Sequence, residues 1–141
     1  CHSVTCFLTG GLLDKFPRLK VCFAHGAGTF PYIRGQLEHG LTRGVNNEVA
    51  FKDAADSLAP HLYIGRFFCD SIVHSREATE FLLSAMTEDM VVFGSDYPYA
   101  GSYVGKSEKS FDLAQHYGYL GAATLAKMMG DNAGRLLSPN L

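Results

Sequence analysis

Val91-Val92-Phe93-Gly94-Ser95-Asp96-Tyr97-Pro98 is an apolar run that ends on a carboxylate. Met90 to Phe93 is short, apolar and partly β-branched, which predicts a strand covered on both faces. Gly94 admits a close approach of backbone or side chain, and Pro98 stops the ladder. Asp96 therefore falls just past the carboxyl end of a buried strand, where open and closed parallel sheets place their chemistry. Taken alone, Asp96 is equally readable as a turn residue, since Asp side chains bond their own backbone in turns.

Two further stretches repeat the arrangement. Leu19 to Ala24 reads as a strand followed by His25-Gly26-Ala27-Gly28. Leu62 to Ile72 contains a strand centred on Phe67-Phe68-Cys69-Asp70, with His74 just beyond it. Helical spacing fills the intervals. Val4, Phe7, Leu8, Leu12 and Leu13 recur helically over residues 2–15 despite Gly10 and Gly11. Pro31 opens a second helix with Thr29 as its cap and Ile33, Leu37 and Leu41 on its inner face; Arg43-Gly44-Val45-Asn46-Asn47 closes it. Ser75 caps a third, with Ala78, Phe81, Leu82 and Ala85 inward. Lys109 to His116 reads as helical, and Ala122 to Leu137 forms a last helix burying Leu125, Met128, Met129 and Leu136. Residues 48–61 and 100–110 read as mostly loop.

Strands alternating with helices predict an α/β fold with parallel strands and right-handed crossovers. Carboxyl ends then share one face, so His25, His74 and Asp96 are expected on that face. His is the usual metal ligand and general base near neutral pH, and Asp is a hard oxygen ligand. The set is compatible with zinc binding, or with Asp96 on a metal and His25 as acid/base. The blander readings are a packed strand-end residue for His25 and a helix-cap or packing role for His74. Asp70 reads as a hydrogen-bonding partner within its strand, and Asp14, Asp53, Asp56 and Asp89 as solvated charges. His2, His39, His61 and His116 belong to no local pattern. Arg34, Arg43 and Arg66 are the guanidinium groups available to a substrate carboxylate; Arg43 also suits the helix end it follows.

The 141 residues suffice for one domain with a core, and the composition, 47% hydrophobic and 18% charged, is that of a globular protein. A net charge of −2 without a basic block gives no support to nucleic-acid or anionic-membrane binding. Cys1, Cys6, Cys22 and Cys69 form no C-x-x-C pair, which predicts reduced, mostly buried thiols and a cytoplasmic protein. The sequence opens on Cys1, in what reads as the middle of a helix, and three strands make a thin sheet with open edges. The expectation is a single partial domain over residues 1–141, part of a longer polypeptide or completed by a partner.

Lys20 to Pro31, Glu38-His39-Gly40, Phe68 to His74, Val92 to Pro98 and Gly130 to Leu137, in this order, resemble the carboxyl-terminal half of the metal-dependent amidohydrolase-related decarboxylases. The resemblance implies a (β/α)8 TIM barrel of which this chain supplies about strands six to eight. It implies a catalytic zinc, with Asp96 as a metal ligand and His25 as the catalytic histidine acting on metal-bound water and substrate. His74 would stand beside the site, and Arg43 is an approximate match for an arginine that reaches a neighbouring subunit. It further implies a homodimer and decarboxylation of an unsaturated or aromatic carboxylic acid. A hydrolase of the same superfamily and a non-catalytic half-barrel that assembles with another chain are the alternatives. The family's His-x-His pair is absent from the 141 residues, so Asp96 alone remains of its protein ligands to zinc.

Overall fold

A computed structural model describes residues 2–42, 63–99 and 116–138. The expected features at Cys1, Arg43 to Asn47, residues 48–61, residues 100–110, most of the Lys109–His116 helix and the Leu41 side chain lie outside them. The order is α1 (His2–Thr9), α2 (Leu12–Lys15), β1 (Cys22–Phe23), α3 (Phe30–Thr42), β2 (Phe68–Asp70), α4 (Arg76–Met86), β3 (Val91–Val92), α5 (Ala122–Ala126), a π-turn (Lys127–Asp131) and α6 (Asn132–Leu137). The strands form one sheet in the order β1-β2-β3, both pairs parallel. Cys22 lies opposite Phe68, and Cys69 opposite Val91.

The apolar face of the sheet is closed by helices. Phe7 of α1 packs edge-on against Phe23, Phe23 against Phe67, and Phe67 against Phe30, with ring centroids 5.3, 5.4 and 5.6 Å apart. Val4, Leu8 and Leu13 join this cluster from the first two helices, Leu82 and Met86 from α4, and Met128 from the π-turn. The alternation of strand and helix thus gives the parallel architecture expected.

Several local expectations are corrected. The first helix breaks at Gly10-Gly11, where Gly11 adopts a left-handed φ of 63° that lets the chain turn. On α4 the buried residues are Thr79, Leu82, Ala85 and Met86, whereas Phe81 is exposed and meets Tyr32 edge-on, ring centroids 6.4 Å apart. The last helix is not uniform: its π-turn widens the spiral and shifts the inward face, so Met128 and Asn132 are buried and Met129 is exposed. Of the described cysteines, all free, only Cys69 is buried. Ser75 caps α4 as expected, its hydroxyl accepting the Ala78 N–H at 3.1 Å.

Charged groups gather at the amino-terminal ends of the strands. Asp14 is exposed, as expected, but it is also paired: Tyr63 and Arg66, which precede β2, both donate to it, and they hold its carboxyl below the usual range. Arg66 is thereby engaged, as is Arg34, which donates to the Ala85 carbonyl at 2.6 Å. Beside β3, Lys127 bridges Glu88 at 2.9 Å and Asp89 at 3.0 Å. The buried Asn132 amide donates to the carbonyls of Glu88 and Val91, each at 2.7 Å, and Arg135 donates to the Asp89 carbonyl. The π-turn ties onto the strand as well, the Met128 carbonyl accepting the Phe93 N–H at 2.7 Å. Among the described residues, no helix is long and apolar enough to cross a membrane.

Candidate active site

The opposite ends of the strands are built differently. His25 lies two residues beyond β1, His74 four beyond β2, and Asp96 four beyond β3. All three have left-handed backbone, with φ of 55°, 58° and 59°. For a residue with a Cβ this conformation costs about 1–2 kcal/mol. Such strain persists only where the surroundings over-determine it, and it gathers at sites of function. Among the described residues the other non-glycine positions with positive φ are Ala27, beside His25, and Thr87, which ends α4.

Each exit has its own local cause. After β1, His25, Gly26 and Ala27 are consecutive left-handed residues, closed by the Gly28 N–H on the His25 carbonyl at 2.7 Å. Gly26 adopts its φ of 57° without strain, and it is required because a Cβ would stand 2.6 Å from Val73 Cγ1. After β3, the Tyr97–Pro98 peptide is cis and the Tyr99 N–H closes a turn on the Asp96 carbonyl at 2.9 Å. Gly94 lets β3 pass the central strand, since a Cβ would meet Asp70 Cβ and Ile72 Cγ1 at 2.8 Å. His25 and His74 are exposed and Asp96 is partly buried.

Polar groups at the end of β2 and just past it brace these exits. Asp70 Oδ1 accepts the Gly26 N–H at 3.0 Å and the Ile72 N–H at 3.1 Å, so Asp70 acts as the hydrogen-bonding partner expected. Ser71 Oγ accepts the Tyr117 hydroxyl at 2.9 Å and the Gly94 N–H at 3.3 Å. Ser71 and Tyr117 escaped the sequence reading; the available signal was a Ser in an apolar strand, where a buried hydroxyl requires a partner. Burial, with the Asp70 charge beside it, pushes the Cys22 thiol up to about 11, although the residue as a whole is exposed. Burial raises the Cys69 thiol as well. Neither thiol is thereby activated as a nucleophile.

The three strand exits supply two imidazoles and one carboxylate at the same end of the sheet. Among the described residues, however, no three His, Cys, Asp or Glu side chains come together so as to hold a metal ion. A catalytic zinc takes about three protein ligands. The described residues therefore do not form a metal centre by themselves, and Asp96 offers a single carboxylate to one.

A profile of the amidohydrolase family matches residues 2–138. The 2-amino-3-carboxymuconate-6-semialdehyde decarboxylase of Dictyostelium discoideum is 40% identical over 99 residues, covering 70% of this chain and 26% of that protein. The structure of 5-carboxyvanillate decarboxylase LigW from Sphingomonas paucimobilis superposes with a TM-score of 0.72 at 26% identity, over 95% of this chain and 38% of that one. The 5-carboxyvanillate decarboxylase of Novosphingobium aromaticivorans, complexed with manganese and 4-hydroxy-3-methoxy-5-nitrobenzoic acid, superposes with a TM-score of 0.75 at 24% identity, over 94% and 37%. The chain spans about a quarter of the length of the curated decarboxylases it matches. The parallel sheet with its helices is thus part of a TIM barrel, as the resemblance implied.

Proposed function

Because the chain belongs to the amidohydrolase family, we propose that it contributes the carboxyl-terminal catalytic face of a metal-dependent decarboxylase. The substrate class is an unsaturated or aromatic carboxylic acid, with 2-amino-3-carboxymuconate 6-semialdehyde as the first candidate. The observation that carries this reading is that His25, His74 and Asp96, each in left-handed backbone, all follow the carboxyl ends of three adjacent parallel strands.

Decarboxylation breaks the bond between the substrate carbon and its carboxylate. The electron pair stays on the carbon, carbon dioxide leaves, and a proton forms the new C–H bond. His25 is assigned to hold and deliver that proton, since it is exposed just past β1 and imidazole is the side chain most often used as a general acid or base. His74, at the neighbouring exit, is assigned to the substrate side, as is Arg43, which lies outside the described residues. Asp96 is assigned as one oxygen ligand of a zinc ion whose other ligands come from elsewhere than the described residues. A homodimer and a cytoplasmic location complete the proposal, with no nucleic-acid or membrane partner.

A second reading is favoured by the absence of a three-ligand cluster among the described residues. In it the chain is a non-catalytic half-barrel whose sheet edges pair with another chain. Two measurements separate the readings. The first is loss of 2-amino-3-carboxymuconate 6-semialdehyde absorbance with release of carbon dioxide, followed beside 5-carboxyvanillate as a second probe. The second is zinc content after exhaustive dialysis. Turnover that is lost in His25→Asn and Asp96→Asn sustains the enzyme. No turnover with either acid, together with association of the chain, favours the half-barrel. Near-stoichiometric zinc bound by the chain alone overturns the assignment of His25 to proton transfer only.

A further inference from the structure

The left-handed turn at His25 requires an anchor, and the central strand provides one. We propose that Asp70 and Ser71, consecutive residues at the end of β2, are positioning residues that set the two flanking exits. Asp70 holds the turn bearing His25, and Ser71 holds the segment leading to Asp96. The inference rests on the roles proposed above for His25 and Asp96.

The Gly26 N–H is the middle donor of the strained turn, and it points at Asp70 Oδ1, 3.0 Å away. The same oxygen takes the Ile72 N–H at 3.1 Å, so one carboxylate oxygen ties the exit of β1 to that of β2. Bonds to an ionised acceptor are stronger than neutral ones and hold a donor more tightly in direction. On the other flank the Gly94 N–H reaches Ser71 Oγ at 3.3 Å. That hydroxyl is fixed in turn by the buried Tyr117, whose OH lies 2.9 Å from Ser71 Oγ and 3.2 Å from the Ser71 carbonyl.

The packing agrees with the bonding. Gly26 is pressed against Val73, and Gly94 against Asp70 and Ile72, so both outer exits touch the tail of the central strand where a Cβ would not fit. Asp70 and Ser71 are assigned no contact with the reacting atoms; their effect on chemistry is through His25 and Asp96.

The test compares Asp70→Ala, Asp70→Asn and Ser71→Ala with the unmodified protein by amide hydrogen exchange and by turnover. In the unmodified protein the Gly26 amide is expected to be protected despite its place in a turn; an unprotected Gly26 amide overturns the proposal whether or not any variant folds. Asp70→Ala is expected to speed exchange at Gly26 and Ile72 by about tenfold or more while sparing Gly94, the scale expected for a bond to a charged acceptor. Asp70→Asn, which keeps a carbonyl oxygen, is expected to restore protection, and Ser71→Ala to affect Gly94 and spare Gly26. With 2-amino-3-carboxymuconate 6-semialdehyde, Asp70→Ala is expected to lower kcat by about ten- to hundredfold with little change in KM, and Asp70→Asn to recover most of it. In a His25→Ala background the same change is expected to cost no further activity; an equal loss with and without His25 marks a merely structural residue and overturns the role. If the unmodified protein turns over no acid, the function proposed above fails, while the exchange pattern still decides whether Asp70 and Ser71 hold these turns.

Discussion

The two ends of the sheet solve opposite problems. At the amino-terminal end, partners meet: Lys127 with Glu88 and Asp89, Asn132 with two carbonyls, and Asp14 with Tyr63 and Arg66. At the carboxyl end the titratable side chains His25, His74 and Asp96 are held in a disfavoured backbone conformation. One end joins charged side chains to one another and to carbonyls, and the other carries the residues to which the proposed reaction is assigned. In barrels of parallel strands this division is general, chemistry at the carboxyl ends and stability at the amino ends.

The comparison can be broken by a substitution at each end. The largest effect is expected from His25→Asn, because Asn tolerates left-handed backbone and so removes the imidazole while leaving the turn. Turnover should fall by about 10²–10⁴-fold, the range for a lost general acid or base, with the melting temperature almost unchanged. A large fall in melting temperature would place His25 among the cohesive residues instead. Asn132→Ala should do the reverse. It leaves two carbonyls of the β3 approach without their donor, a loss of about 1–3 kcal/mol read by urea unfolding, while the rate per folded molecule is kept.

A smaller effect is expected from alkali. Burial and the Asp14 hydrogen bond push the Tyr63 phenol from 10.0 up to about 12, and the Cys22 thiol rises from 9.0 to about 11. Both groups hold their protons to higher pH in the folded chain than in the unfolded one. The stability they contribute is therefore fully present below about pH 9 and is lost as pH rises from about 9 to 12. Denaturant midpoints at pH 8 and pH 10.5 measure it, and Cys22→Ala should lessen the difference. The smallest effect belongs to the exposed Arg76–Glu80 pair: Glu80→Ala should leave the urea midpoint almost unchanged, because solvent screens an exposed pair.

The carboxyl-end arrangement was legible in the sequence, because three short apolar runs each lead to a polar residue beside Gly or Ser. The cohesive end was not. Asp14 lies 52 residues from Arg66 in the chain, and no local pattern announces such a pair. Phe81 was assigned inward from hydrophobicity, yet Thr79 is buried in α4, its hydroxyl bonded to the Ser75 carbonyl at 2.9 Å. Met129 was assigned inward on a spacing of 3.6 residues, which the π-turn abandons. The left-handed backbone at His25, His74 and Asp96 has only a weak sequence signature: His and Asp are enriched in that conformation among residues with a Cβ, yet neither requires it.

That π-turn makes the final helix sensitive to the number of its residues more than to their identity. Each residue rotates an α-helix by about 100°. Removing one between Lys127 and Asp131 would swing everything after it through such an angle, carrying Asn132 away from Glu88 and Val91 and Arg135 away from Asp89. A substitution there changes one contact, whereas a deletion changes the phase of all those that follow. Comparison of related chains at this place should therefore find side chains that drift while the count of residues stays fixed.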